Sequence, residues 1–241
     1  IHQGSGKLLT NFGTLDLSPG DYAIIPRGVI WQIDVKDTIE ILVIETAGPI
    51  KTPKRYRNNA GQLLEFAPFS ERDIKLTPPI NGGPVNVKVK LRQGIQSYEY
   101  KYNPFDVVGW DGYLFPWVFN IHDFMPITGK VHQPPPVHQV LQAPGLVICN
   151  FVPRLFDYHP KAIPAPYAHS NVDSDEILYY VSGDFMSRKG VEHGSITFHP
   201  AGLPHGPQPG KIEASLGTKE ANEIAVMVDT FKPLKMTTGA A

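Results

Sequence analysis

Two histidines and one glutamate carry the chemistry this chain is equipped to do. They lie in the patterns His169-(x6)-Glu176-(x6)-Gly183 and Gly194-(x5)-Pro200-x-Gly202-x2-His205. Two neutral nitrogens and one anionic oxygen on one face of a divalent metal leave other coordination positions open. That donor set favours a non-haem iron(II) site able to take up both an organic substrate and dioxygen. Taken singly, each residue has a plainer reading. A buried histidine is more often a hydrogen-bonded core residue, and a glutamate is more often a surface carboxylate. The combination, with Gly and Pro corners in both segments, points to a shared metal site and an oxidative enzyme. The motif does not by itself name the metal, and a zinc or manganese isomerase shares it.

Bringing three such side chains to one ion requires short elements joined by sharp turns, and the chain is written that way. Twenty-four Pro and twenty-two Gly punctuate many β-branched segments, the texture of an all-β protein. Strand-like pieces fall at 7–11, 14–17, 22–25, 30–35 and 39–46, and again at 145–153, 176–181, 195–199 and 223–228. Val85, Val87 and Val89 alternate with Asn86, Lys88 and Lys90 as a half-exposed strand, and only 70–75 hints at a helical turn. In the 176–181 strand, alternation puts Glu176, Leu178 and Tyr180 on one face and Ile177, Tyr179 and Val181 on the other. A separation of seven would set His169 and Glu176 on opposite faces of one straight strand, so a bend within the polar residues 171–175 is required. Pro200, Gly202 and Pro204 make a second corner that turns His205 inward, towards donor distances of about 2.0–2.2 Å.

The spacing Gly20-(x5)-Pro26-x-Gly28-x2-Trp31 repeats that of Gly194 to His205, with Trp31 in the place of the histidine. An internal repeat implies two related barrels, the first without a metal. The 241 residues suffice for one large or two small cores. Twenty-two basic and twenty-three acidic residues give a formal charge of −1 with no basic block, a poor match to nucleic acid or an anionic membrane. Apolar runs such as Ile41-Leu42-Val43-Ile44 are too short to span a bilayer. The single Cys149 excludes an internal disulfide and fits a reducing, cytoplasmic setting. Residues 1–6 read as the middle of a β-hairpin, so an N-terminal portion is expected to be missing.

The two metal segments resemble the paired motifs of the cupin superfamily, with His169-Ser170-Asn171 standing where the first motif has His-x-His. More specifically, the chain resembles homogentisate 1,2-dioxygenases along nearly its whole length. The resemblance is strongest at 108–113 (VGWDGY), 119–124 (FNIHDF), 166–171 (PYAHSN) and 204–207 (PHGP), with 57–65 (RNNAGQLLE) similar as well. It implies a bicupin, two small β-barrels or jelly rolls joined by an irregular connector. Residues 1–50 would be a partial, metal-free N-terminal barrel, 51–103 a connector wrapping the outside, and 104–241 the iron-bearing barrel. It implies opening of homogentisate by Fe(II) and dioxygen to maleylacetoacetate, in phenylalanine and tyrosine catabolism, by a homo-trimer or hexamer.

Carried over position by position, the resemblance places the iron ligands at His169, Glu176 and His205. The first interval is one residue longer than is common in the family. It places a catalytic base at His132, which would take the proton of a substrate hydroxyl. Positioned acid–base help of this kind is worth roughly 10²–10⁴ in rate. His138 is a competing base. His199 matches a histidine of the substrate pocket, where His205 also reaches the substrate, although His199 reads equally as part of the barrel wall. A tyrosine that contacts substrate in the family aligns with Phe185, which lacks the hydroxyl; Tyr167 or Tyr180 could supply it. Otherwise the substrate is another hydroquinone-type acid such as gentisate. A non-catalytic metal-binding cupin is the reading from another class. Arg154 is a candidate for the substrate carboxylate, or for a surface salt bridge.

Overall fold

The computed structural model describes residues 1–75, 83–107, 114–129 and 135–240. The expected base His132 and the VGWDGY stretch lie outside the described residues. The protein is all-β: strands dominate, short 3-10 turns connect them, and the one α-helix among the described residues, α1, spans only Lys211–Ser215. No described helix is long and apolar enough to cross a membrane. The chain forms two compact units, one of residues 1–45 and 71–123, the other of 46–70 and 124–241.

The first unit holds β1 (Gly6–Thr10), β2 (Gly13–Leu17), β3 (Asp21–Ile24), β4 (Trp31–Val35), β5 (Ile74–Lys75), β6 (Val85–Leu91), β7 (Gly94–Tyr100) and β8 (Trp117–Asn120). β1 lies between β2 and β4, and β8 lies between β3 and β5. Leu8, opposite both Leu15 and Ile33, joins Leu17 and Val118 in a small buried core. Among the described residues, strands β6 and β7 pair only with each other, in register from Val85–Tyr100 to Leu91–Gly94. The expected strand at 39–46 does not form. Its side chains alternate between exposed and half-buried, as an extended chain does, but only Glu40 finds a bridge partner, Gln3. A β-prone run without a neighbouring edge has no ladder to join.

The second unit is built on a five-stranded antiparallel sheet in the order β13-β12-β15-β10-β9. These are β9 (Gln139–Ala143), β10 (Leu146–Phe151), β12 (Asp175–Gly183), β13 (Ile196–His199) and β15 (Glu223–Thr230), with β11 (Arg154–Leu155) and β14 (Glu220–Ala221) forming a separate two-stranded ladder. Val140, Leu141, Ile148, Cys149, Tyr179, Tyr180 and Ala225 are buried on this sheet. The register aligns Glu176 with His199 on one side and with Asp229 on the other. An irregularity between Tyr180 and Ser182 follows, and Gly183 closes the strand at φ 98°. A Cβ at Gly183 would meet the Asn222 carbonyl at 2.0 Å, so only glycine fits there.

Candidate metal centre

Glu176 is the second residue of β12 and is buried, although nothing about a glutamate favours that. Its neighbours account for it. Across the ladder, His199 Nδ1 lies 2.6 Å from Oε1, and the Asn171 amide donates to Oε2 at 3.0 Å. Burial pushes the carboxyl up. The His199 hydrogen bond, the electrostatic pull of the His199 and His205 rings, and the Asn171 amide outweigh it and leave Glu176 below the ordinary carboxylate range.

The bend required between His169 and Glu176 falls at Val172 and Asp173. His169 then runs antiparallel to His205, the two backbones exchanging hydrogen bonds at 2.8 Å in both directions. This exchange places the rings 4.5 Å apart between centroids. The Pro200 corner is tied down by the Ala201 N–H on Asp175 Oδ1 at 2.8 Å and the Gly202 N–H on the Asn171 carbonyl, also at 2.8 Å. Both histidines have Nδ1 3.0 Å from the carbonyl two residues earlier, Tyr167 for His169 and Leu203 for His205. A carbonyl only accepts, so Nδ1 carries the proton in each ring and Nε2 offers its lone pair.

The two rings and the carboxylate converge. Donor atoms of His169, Glu176 and His205 all lie within 4.8 Å of one another. His205 Nε2 is buried with no hydrogen-bond partner, and Glu176 Oε2 stands 3.7 Å from it, too far for a hydrogen bond. A buried, bare imidazole nitrogen is costly unless something fills the gap. A divalent cation between two imidazoles and a carboxylate does so, and the residues present fit one.

The remaining expected residues fall around this cluster. His199 stacks on His205 with centroids 4.3 Å apart, and both of its nitrogens are engaged, one by Glu176 and one by Arg188 at 3.0 Å. Tyr167 is exposed, its ring edge-on to His169 at 5.8 Å. Phe185 packs edge-on to the fully buried Tyr180 at 4.7 Å, and the Tyr180 hydroxyl is 3.2 Å from Thr197 Oγ1. Phe185 lines a cavity of about 550 Å³ together with Asp184, Arg188, Lys211, Glu220 and Asn222. His138 sits against Phe151, and burial, with Arg154 nearby, drives it down to about 3. A base that binds its proton only near pH 3 is poorly matched to work at neutral pH. Arg154 is held by Glu223 at 3.2 Å and by the rings of Phe151 and Phe156.

Two contributors carried no signal of their own. Arg188 and Asp175 look like solvated charges in the chain and acquire their contacts only through the fold. Asn171, by contrast, occupies the place of the missing second motif histidine and touches the carboxylate instead.

The buried Glu176 on an antiparallel β sheet, with His169 and His205 paired beside it, makes a group that could hold a divalent cation in an all-β protein. The sequence model described as homogentisate 1,2-dioxygenase N-terminal matches residues 1–121. The chain belongs to the homogentisate 1,2-dioxygenase family. A protein of Saccharolobus solfataricus, provisionally named a dioxygenase, is 43% identical over 98% of this chain and 63% of its own length. Homogentisate 1,2-dioxygenases of Bradyrhizobium diazoefficiens and Nitrobacter hamburgensis are each 28% identical, over 100% and 99% of this chain and 57% and 56% of theirs. The chain thus spans less than two thirds of the length of these relatives.

Proposed function

We propose that this chain is the iron-bearing part of a ring-cleaving dioxygenase that opens homogentisate to maleylacetoacetate, in the breakdown of phenylalanine and tyrosine. The observation that carries the reading is the convergence of His169, Glu176 and His205 with His205 Nε2 buried and unpartnered. Family membership supports the oxygenase class. Ferrous iron in this cluster supplies the electron transfer that lets dioxygen react with an aromatic ring. The chain supplies the rest. His169 and His205 present Nε2 because their Nδ1 protons are committed to carbonyls, and Glu176 is kept anionic by His199 and Asn171. In this proposal His132 takes the proton of a ring hydroxyl. The same reading makes the fold a bicupin, the assembly a trimer or hexamer, and the compartment the cytoplasm, which the single buried Cys149 suits.

One observation favours a neighbouring substrate. Phe185 has no hydroxyl, the Tyr180 hydroxyl is already within reach of Thr197, and Tyr167 is exposed. A site built to bind a substrate hydroxyl loses much of its selectivity without its partner. Gentisate or a related hydroquinone acid is therefore the second reading.

Anaerobic loading with ferrous iron, followed by oxygen-electrode measurement with homogentisate and then gentisate, separates the cases. Homogentisate-dependent oxygen uptake is expected. Uptake with gentisate alone moves the substrate, and no uptake with either by an iron-loaded chain leaves a metal-binding cupin without this chemistry.

A further inference from the structure

We propose that Arg188 is a positioning residue that sets the tautomer of His199 and, through it, aims the Glu176 carboxylate at the metal. The proposal rests on the reading of His169, Glu176 and His205 as a metal site. Arg188 follows β12 by five residues, and its guanidinium reaches back to two acceptors. One nitrogen donates to the Gly206 carbonyl, next to His205 in the chain, and the other is 3.0 Å from His199 Nε2. A guanidinium has donors only. His199 Nε2 must therefore accept, with its lone pair facing Arg188. On the opposite side of the ring, Nδ1 is 2.6 Å from Glu176 Oε1, and a carboxylate only accepts. Only the neutral ring with its proton on Nδ1 satisfies both contacts. Moving that proton to Nε2 would set donor against donor at Arg188 and lone pair against carboxylate at Glu176.

The consequence is directional. With the Nδ1 proton fixed, Glu176 Oε1 is tethered to His199 and Oε2 is left on the side of Asn171 and His205 Nε2. The chain of contacts thus runs from Arg188 through His199 to the ligand oxygen. The same Arg188 buttresses the segment of His205 through Gly206. Partners of this kind behind a metal ligand are worth about 10–100-fold in metal affinity.

Long-range ¹⁵N–¹H imidazole spectra of the metal-free chain read the tautomer directly, and ferrous-iron titration of the same samples reads the affinity. Wild-type His199 is expected with a protonated Nδ1 and a bare Nε2. Arg188→Met is expected to lose that single tautomer and about 10–100-fold in iron affinity, and Arg188→Lys, which keeps a cationic donor, to recover most of both. An unchanged His199 tautomer and affinity in Arg188→Met overturns the proposal. If Arg188→Met does not fold, the wild-type spectrum decides, since a wild-type His199 protonated on Nε2 also overturns it. A wild-type chain that binds no ferrous iron sinks the metal-site reading instead, whatever the tautomer.

Discussion

A metal ligand must offer a lone pair, so what each titratable side chain faces decides whether it is ready. Around Glu176 the fold commits protons to carbonyls and keeps the carboxylate charged. Elsewhere on the same sheet burial works against charge. Burial raises Cys149 to about 12, and burial with repulsion from Glu176 raises Asp229 to about 6. His138 is the strongest case in the other direction, driven from 6.5 down to about 3 by burial with Arg154 nearby, against a hydrogen bond to the Asn150 backbone carbonyl. A depressed folded value means the unfolded chain binds the proton first. The contribution of His138 is complete above pH 6.5 and drains away as pH falls towards 3, on the order of 5 kcal/mol across that window. Asp229, raised from 3.8, works in the opposite sense between about 3.8 and 6. The quantity to measure is therefore the difference between wild type and His138→Leu. Urea-unfolding free energies from pH 7 to 3 are expected to converge as pH falls, with a steeper acid loss in the wild type. Parallel curves would mean that His138 is not held neutral.

The elements that carry the site were legible where geometry forced them. The bend between His169 and Glu176 follows from their odd separation, and it falls at Val172 and Asp173. The Gly20 and Gly194 segments share one spacing in the sequence. All four corner glycines adopt left-handed torsions, Gly20 and Gly28 at φ 89°, Gly194 at 78° and Gly202 at 77°. Arg188 was not legible, because its value depends on a turn that returns it to His199, and no local pattern encodes that return. Residues 39–46 show the same limit in reverse, with β propensity present and no ladder to receive it. The close approach at Gly206 gives an element-scale test. A Cβ there would lie 2.7 Å from Ala168 Cα and 3.2 Å from its nitrogen, both backbone atoms that cannot swing aside. Gly206→Ala is expected to push apart the segments that carry His169 and His205. Ferrous affinity should fall at least about tenfold, as it does when a ligand loses its support, in a chain whose far-ultraviolet circular dichroism is unchanged. Full affinity in that variant would show that the paired backbones do not set the donor spacing.

Across the whole chain, ordered structure is unevenly supported, and the difference follows from how many neighbours each strand has. In the second unit β12 is flanked by β13 and β15, and β15 by β12 and β10, so the amides nearest Glu176 sit in a continuous ladder over buried Tyr179, Tyr180 and Ala225. In the first unit, among the described residues, β6 and β7 have only each other. Every β7 residue but Tyr100 is exposed, among them Ile95 and Tyr98. A two-stranded hairpin is marginal in water on its own, whereas a central strand opens only when its sheet does. Which stretches share a unit is decided by contacts between residues far apart in sequence, to which composition is blind. Deuterium exchange followed by mass spectrometry tests this ranking. Peptides from β12 and β15 are expected to exchange last, near the rate of global opening. Those from β6 and β7 should exchange orders of magnitude sooner. Comparable protection in the two sets would mean that the β6–β7 hairpin is covered in solution, and a second copy of the chain is one surface able to cover it. Repeating the exchange across a hundredfold range of protein concentration then reads the cover directly, because hairpin protection that rises with concentration reports association and protection that stays constant reports packing within the chain.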